Sequence, residues 1–153
     1  MGQDVNREWP TSGHRLVDEI IKASARMTKA ADRFLDAWGI TSAQFDLLGV
    51  LALHPTGLMQ AEAGVFLGVT RANVTGLVRR LAARGLCSVD SKLGDSRARM
   101  VRTTPAGNSL LARLEGPWAA RIRRTTRNIS GPLQVRFADA AVGLEPNGRA
   151  LPR

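Results

Sequence analysis

The segment from Val69 to Gly107 constrains the fold more than any other part of the chain. It begins with a positively charged helix, Thr70–Arg84, and continues with two short strand-like runs, Leu86–Ser91 and Met100–Thr104. The runs are joined by the polar, arginine-containing stretch 92–99. The segment therefore predicts a basic helix followed directly by an antiparallel hairpin.

A long amphipathic helix is predicted upstream, over Ser12–Trp38, with Gly39 as its stop. Its apolar residues recur at spacings of three and four, which is the period of one helix face. Such a helix is about 40 Å long, too long for a small core to cover. Part of its apolar stripe is therefore expected to meet a second subunit. The stripe consists of Leu16, Ile20, Ala23, Met27, Ala30, Ala31, Phe34 and Trp38.

Two shorter helices are predicted before the basic helix. Thr41 and Gln44 form a capping box that opens the first, and Met59–Leu67 is the second. Thr70 then caps the basic helix. A short helix, a turn and a capped helix with a polar outer face make a helix-turn-helix. The buried stripe of the basic helix is predicted to consist of Val74, Leu77, Val78 and Leu81.

Two more helices are predicted after the hairpin, over residues 105–129 and 130–144. The Gly116-Pro117 dipeptide falls inside the first. A proline there removes a backbone donor and clashes with the preceding turn, so a kink or break is expected near Leu114. The predicted fold class is mainly α with a small β-hairpin wing.

The chain of 153 residues is expected to form a single domain with three kinds of region. The helical regions 12–38 and 105–144 are expected to mediate dimerisation, and residues 41–104 to form a winged helix-turn-helix lobe. The polar ends, 1–11 and 145–153, are expected to be flexible arms.

Positive charge is concentrated in the second half of the chain. Residues 1–70 contain six Lys and Arg against eight Asp and Glu, whereas residues 71–153 contain 16 against five. Charge runs are commonly no more than solvated faces. Here the basic residues coincide with one helix and one hairpin, which is the electrostatic footprint of a phosphate-contacting surface.

Several classes of function lack the residues that they require. No 18-residue apolar run predicts a membrane span, and the N-terminus lacks a secretory apolar core. A single cysteine fits a reducing cytosol, so a cytoplasmic protein is expected. His14 and His54 have no partner at metal-ligand spacing, so no metal and no cofactor are predicted. No nucleophile elbow, P-loop, dinucleotide fingerprint or catalytic carboxylate pair is present, so an enzyme is not expected.

The helix-turn-helix and the hairpin also carry a family resemblance. Residues 67–81 read LGVTRANVTGLVRRL, and residues 95–107 contain the pattern D-x-R-x-x-x-V-x-x-T-x-x-G. Together they resemble the MarR family of bacterial winged helix-turn-helix transcriptional regulators. In helix order the resemblance extends from Ser12 to about Leu144.

This resemblance implies a homodimer in which the first, fifth and sixth helices interleave. Each recognition helix would enter a major groove of double-stranded DNA at a pseudo-palindromic operator. It also implies a transcriptional regulator, usually a repressor, that a small aromatic or phenolic effector releases from DNA. The sequence does not indicate which residues would bind that effector.

Five candidate DNA-binding residues lie on the basic helix, off its apolar stripe. Arg71 is suited to guanine, Asn73 to adenine and Thr75 to a thymine methyl group. Arg79, one turn further on, suits a phosphate. Thr70 is first a helix cap, and holding a phosphate at the helix N-terminus is its secondary role.

The hairpin supplies the remaining candidates. Arg97 is the predicted minor-groove residue, because the negative potential of a narrow groove attracts arginine. Asp95 is expected to stabilise the wing, either by accepting hydrogen bonds from wing amides or by pairing with Arg97 or Arg79. Lys92 and Arg99 are candidate phosphate contacts, although solvated loop charges would give the same pattern.

Other conspicuous residues favour structural roles. Cys87 is expected to be a buried structural thiol, and Trp38 and Trp118 are expected in the core. For Trp9, a core position and an effector pocket both stay open. Gly64 replaces a residue that is commonly alanine in the family, at a cost of about 1 kcal/mol to the helix.

A second interpretation is a winged-helix module that binds a protein or a small molecule and has no specific DNA site. Fold alone does not fix function, so the architecture is compatible with it. The outer face of Thr70–Arg84 is basic rather than apolar, which favours nucleic acid over this alternative.

Overall fold

Helices dominate the structure, a computed structural model that describes residues 11–92 and 95–142, without the side chains of residues 91–98. The mainly α fold class with a small β wing is confirmed. Residues up to Ala43 form one unit and residues from Gln44 form another. Trp9, the predicted N-terminal arm before Thr11 and the C-terminal arm lie outside the described residues. In chain order the elements are α1 (Ser12–Leu35), a 3-10 turn (Asp36–Trp38), α2 (Ser42–Ala52), β1 (Leu58–Met59), α3 (Gln60–Leu67), α4 (Arg71–Ala83), β2 (Cys87–Lys92), β3 (Asp95–Thr103), α5 (Pro105–Thr126) and α6 (Gly131–Val142).

The first unit consists of α1 and the 3-10 turn that follows it. Gly39 ends the turn in the left-handed region, at a φ of 68°, which confirms the predicted stop. Two residues of the predicted stripe are open to solvent, Leu16 at 47% and Met27 at 53% exposure, whereas Ala31 is buried and the others are partly buried. Trp38 is only partly buried, so its predicted core position is wrong.

The helix-turn-helix has the predicted order. α2 begins directly after Thr41, and α3 begins after Met59, whose N–H donates to the Glu62 carboxylate at 2.8 Å. Thr70 caps α4, its hydroxyl oxygen accepting from the N–H of Asn73 at 3.3 Å. The predicted stripe on α4 is confirmed, since all four of its residues are buried; these are Val74, Leu77, Val78 and Leu81.

Gly64 lies where α3 comes close to the start of α4. A Cβ atom at this position would lie 3.0 Å from the carbonyl oxygen of Val69. The N–H of Val69 donates to the Gly64 carbonyl at 3.0 Å, which closes the turn between the helices. The absence of a side chain therefore permits this close approach, which offsets the cost of an interior glycine.

The sheet has three antiparallel strands in the order β1-β3-β2. β1 pairs Leu58 with Val101 of β3, and β2 pairs with β3 up to Lys92 and Asp95. The prediction that residues 92–99 form a connecting stretch is wrong, because Lys92 and residues 95–99 belong to the strands. A ladder is held by backbone hydrogen bonds, so it can continue through polar residues that show no apolar alternation.

The start of α5 is fastened to the beginning of the hairpin. Thr104 accepts from the N–H of Gly107 at 3.1 Å and donates to the carbonyl of Gly85 at 2.6 Å. A Cβ on Gly107 would lie 2.2 Å from the carbonyl oxygen of Leu86. Only glycine permits this contact between backbones without a shift.

α5 continues without interruption through Pro117, so of the kink or break expected near Leu114 the break is wrong, while the kink stays a prediction. Proline removes one backbone donor, and the residues Arg113, Gly116 and Pro117 are all exposed, where water can satisfy the freed carbonyl. Beyond the proline, the Trp118 ring packs on Phe45 with centroids 5.0 Å apart. Trp118 is nevertheless partly buried rather than in the core, which corrects the prediction.

Every residue of α6 is exposed. Within the described ranges, none of the helices combines the length and the apolar character that crossing a membrane requires.

Candidate nucleic-acid interface

The outer face of α4 presents four of the predicted contact residues together. Arg71, Asn73, Thr75 and Arg79 are all exposed, while the opposite side of the helix is buried. α4 contains no acidic residue. The Thr70 hydroxyl satisfies only one of the free N–H groups at the helix start, so this end keeps a partial positive charge. The face therefore combines hydrogen-bonding side chains with net positive charge.

The arginines of this face form no ion pair with the side chains that the structure describes: none of the ion pairs involves Arg71, Arg79 or Arg80. Arg80 is exposed in the last turn of α4 and extends past Gly76, whose built Cβ would lie 3.7 Å from an Arg80 guanidinium nitrogen. Arg80 was not among the contact residues predicted from the sequence, although its place next to Arg79 and off the apolar stripe indicates an exposed side chain.

Thr75 is exposed, but its hydroxyl is engaged within the protein. The Thr75 hydroxyl lies 2.9 Å from the Gln60 side-chain oxygen and 3.0 Å from the Arg71 carbonyl oxygen. Gln60, the first residue of α3, is buried. Sequence spacing gave no sign of this contact, because it joins residues that are 15 positions apart in two helices.

The strands of the wing contain the remaining predicted residues. Arg99 is exposed and pairs with Ser91 across the ladder, and a bulge lies between Ser91 and Lys92. The backbones of Lys92, Asp95 and Arg97 are in strands, but their side chains lie outside the description. Their contacts, including the expected pairing of Asp95 with an arginine, stay predictions.

Arg102 anchors the base of the wing, and the sequence analysis did not identify it. Its guanidinium pairs with the Asp90 carboxylate on β2, and its Nε donates to the carbonyl of Thr56 at 3.0 Å. Gly57, which follows Thr56, has a φ of 95°, and a Cβ there would lie 3.0 Å from the Arg102 side chain. One arginine thus links both strands of the hairpin to the turn that precedes β1.

Cys87 is buried, as predicted, and its sulfur lies 3.6 Å from the carbonyl oxygen of Val78. Burial raises the pKa of the thiol from 9.0 to about 11. The reactive thiolate is therefore scarce at neutral pH. This agrees with a structural rather than a redox role.

The two histidines have local roles. His14 lies at the N-terminus of α1, with its Nδ1 2.6 Å from the Thr11 hydroxyl. The Nδ1 of His54 lies 2.8 Å from the carbonyl oxygen of Val50, and its ring contacts Phe66 with centroids 5.1 Å apart. No group of three or more His, Cys, Asp or Glu side chains that could hold a metal occurs in the part of the chain that the structure describes.

Comparison with known proteins places these features in context. The model of the MarR family matches residues 38–89. The chain is 30% identical over 107 residues to the transcriptional activatory protein BadR of Rhodopseudomonas palustris, which covers 68% of this chain and 61% of that protein. The match thus spans less than two thirds of the relative's length.

Solved structures share the fold. The S. aureus MepR–DNA complex has a TM-score of 0.75 at 21% identity, covering 84% of this chain and 94% of that one. The PcaV regulator of Streptomyces coelicolor, solved with its natural ligand, has a TM-score of 0.70 at 24% identity, covering 88% and 91%. Together with the capped basic helix and its three-stranded wing, these matches show that the chain is similar to transcriptional regulators of the MarR family and shares their fold.

Proposed function

We propose that this protein is a dimeric regulator that binds double-stranded DNA at a specific, pseudo-palindromic operator. The observation that carries the proposal is the outer face of α4, which is uniformly exposed, basic and polar and is held on a buried apolar stripe. Such a helix fits the major groove, where base edges offer a distinct pattern of donors and acceptors. The MepR structure is a complex with DNA, which supports the same use of this fold.

The predicted contact residues of α4 and its cap each have a proposed partner on the DNA. Arg71 pairs with a guanine and Asn73 with an adenine, and Thr75 contacts a thymine methyl group. Arg79 and the capped helix start at Thr70 contact phosphates.

The wing extends the interface along the backbone. Arg97 inserts into the minor groove, and Asp95 holds the wing in shape. Lys92 and Arg99 contact phosphates on either side. These four roles rest on sequence pattern and, for Arg99, on its exposed side chain.

Dimerisation is supported by apolar residues that a single chain leaves in solvent. α1 exposes Leu16, Val17 and Ile21 near its start, and α6 buries none of its residues. Such faces mark association surfaces. A two-fold dimer would place two copies of α4 about one helical turn of DNA apart, roughly 10 bp. The apolar residues exposed on α6 are Leu133, Val135, Phe137 and Val142.

Release by a small ligand, with repression as the ground state, completes the proposal. A ligand that prefers one spacing of the two recognition helices would shift the population away from the DNA-binding spacing. The PcaV structure is a complex with its natural ligand, which supports a ligand-responsive regulator. Activation is the second candidate, because the curated relative BadR is named an activatory protein. A reporter gene behind the upstream DNA distinguishes the two by whether deleting the regulator raises or lowers expression.

The test of DNA binding is a gel-shift titration with the DNA upstream of the gene. Arg97→Ala should weaken binding to all sequences, whereas Asn73→Ala should change base preference at one position in each half-site. Arg123→Ala, which removes an exposed arginine of α5, is the control and should leave binding unchanged. If neither Arg97→Ala nor Asn73→Ala alters binding, the residue roles are wrong.

Salt dependence separates this proposal from a winged-helix module that binds a protein or a small molecule. Affinity for the upstream DNA should fall steeply with salt, because phosphate contacts release counterions. A weak response that does not change with salt in fluorescence polarisation would favour the module. The basic outer face of α4 is the reason for ranking it second.

A further inference from the structure

We infer that Gln60 is a positioning residue for DNA recognition: it fixes the side chain of Thr75 so that its methyl group occupies one place on the outer face of α4. The inference rests on the proposed function and deepens it, because it explains how one thymine in each half-site is recognised. Gln60 itself belongs to α3 and is buried, so it is not a contact residue.

Two acceptors surround the Thr75 hydroxyl. The hydroxyl lies 2.9 Å from Oε1 of Gln60 and 3.0 Å from the carbonyl oxygen of Arg71, one turn earlier in α4. A hydroxyl has one proton, so it donates to one of these oxygens at a time. Both oxygens favour the same placement of the hydroxyl branch.

The Arg71 carbonyl alone would not fix the side chain. In a helix, threonine divides between two rotamers, because its hydroxyl can reach a carbonyl of the preceding turn in both. The methyl group occupies a different place in each rotamer. The Gln60 oxygen is within hydrogen-bond distance of the hydroxyl in the observed rotamer, so it favours that one. The methyl group is then confined to one position.

Burial makes Gln60 a firm support. Only 9% of its surface is exposed, and no buried polar side-chain atom in the described residues lacks a hydrogen-bond partner. Close packing around a buried side chain leaves it little freedom to move. Gln60 therefore holds Thr75 from the buried side, while the exposed side of Thr75 stays accessible to the major groove of DNA.

The methyl group is what a thymine would meet. Thymine presents its C5-methyl group in the major groove, and apolar contact with that group distinguishes it from other bases. Removing this methyl from the DNA, by replacing thymine with deoxyuridine, deletes the contact and leaves Watson–Crick pairing intact. From the burial of one methyl group, about fourfold in affinity per half-site is expected.

The experiment starts with the full-length protein and a library of randomised duplexes, from which the enriched sequence is selected. Each thymine of that sequence is then replaced by deoxyuridine in both half-sites, and dissociation constants are measured by anisotropy. The wild-type protein should lose affinity at one thymine. Thr75→Ser, which keeps the hydroxyl and removes the methyl, should bind the thymine and deoxyuridine duplexes equally.

Variants of Gln60 test the positioning role. Gln60→Met removes the acceptor at similar size and should abolish the preference for thymine at that position, whereas Gln60→Glu keeps an acceptor oxygen and should retain it. Valine in its preferred helical rotamer has methyl groups at both places that the threonine methyl can occupy. Thr75→Val combined with Gln60→Met should therefore regain the preference. If the role of Gln60 were merely structural, Gln60→Met would lower affinity without changing the ratio of the affinities for the thymine and deoxyuridine duplexes.

The outcomes separate the two proposals. If no sequence is enriched, or a scrambled duplex binds equally well, the proposed function fails and this inference with it. If a sequence is enriched but no thymine is sensitive, or Gln60→Met keeps the preference, only the inference is overturned. Three-bond NMR couplings to the Thr75 methyl carbon, measured on the free wild-type protein, should report a single rotamer. Averaged couplings would overturn the inference even if Gln60→Met does not fold.

Discussion

Among single residues, Gly76 is one at which stability and DNA recognition are expected to make opposite demands. It is inside α4, on the side that carries the proposed DNA contacts, and an added Cβ would meet only the flexible end of Arg80, at 3.7 Å. Gly76→Ala should therefore stabilise the free protein by about 0.5–1 kcal/mol through helix propensity. It should also weaken operator binding, because the methyl group would separate the helix from the DNA.

The matched control is Gly49→Ala on α2, where an added Cβ meets nothing within 4 Å. It should give a similar gain in stability by thermal unfolding and no change in DNA affinity. Equal DNA affinity for Gly76→Ala and the wild type would show that the helix does not approach the DNA closely at this position.

Cys87 provides a pH-dependent prediction at the same scale. Burial raises its pKa from 9.0 to about 11, so at pH 8 the folded protein should react with iodoacetamide about 100-fold more slowly than the unfolded chain. The sequence has one cysteine, so all labelling reports on this site. Labelling of the folded protein should accelerate as the pH rises toward 11. Equal rates at pH 8 in the folded and unfolded states would contradict the assignment of a buried thiol.

The same raised pKa has a consequence for stability. The folded state binds the thiol proton more tightly than the unfolded chain does, so this contribution is fully present below pH 9 and is lost as the pH rises through about 11. Cys87→Ala should lack this part of the pH dependence in chemical denaturation.

Single residues were predictable where the rule is local. The cap at Thr70 and the stop at Gly39 follow from the chemistry of one or two residues, and the structure confirms both. The contacts of Gln60 and Arg102 were not predictable. Each joins positions that only the folded chain brings together, 15 residues apart for Gln60 and 46 for the bond from Arg102 to Thr56.

At the scale of elements, the wing depends on Arg102. Arg102→Met keeps much of the side-chain volume and removes both the ion pair and the bond to Thr56. Because the ion pair is exposed, the global stability should fall by no more than about 1 kcal/mol. Hydrogen exchange in β2 and β3 should accelerate, and DNA affinity should fall for all sequences alike.

Asp90→Asn is the comparison for this substitution. It removes the charge of the partner and leaves the bond from Arg102 to Thr56 in place, so its effect on exchange in the wing should be smaller. If exchange in β2 and β3 is unchanged in Arg102→Met, the arginine does not anchor the wing.

The elements themselves were largely predictable from periodicity, as the buried stripe of α4 illustrates. β1 was missed because Leu58–Met59 is too short to show any period, and its strand conformation depends on pairing with β3 much later in the chain. The break expected at Pro117 was wrong for a different reason. The rule against proline inside a helix assumes a freed carbonyl that finds no partner, whereas this part of α5 is exposed.

For the molecule as a whole, the proposed function requires two copies of the chain. Phe137→Glu places a charge on α6, where the aromatic side chain is 55% exposed in the single chain. Sedimentation velocity should show a dimer for the wild type and a shift toward monomer for this variant. Leu53→Glu makes the same kind of change at a residue that is 80% exposed near the end of α2, and it should leave the dimer intact. A wild-type monomer at micromolar concentration would contradict the proposed assembly.

The proposed association could be anticipated from the length and apolar stripe of the first predicted helix. The effector could not, because no residue pattern marks where it binds.

Equilibrium anisotropy over a series of salt concentrations tests directly whether the protein binds duplex DNA in a sequence-specific manner. The wild-type protein is titrated with its selected operator and with a scrambled duplex of equal length and composition. The operator should bind at least about 1,000-fold more tightly than the scrambled duplex, and both affinities should fall steeply with salt. Equal affinities for the two duplexes, or binding that does not change with salt, would contradict the account.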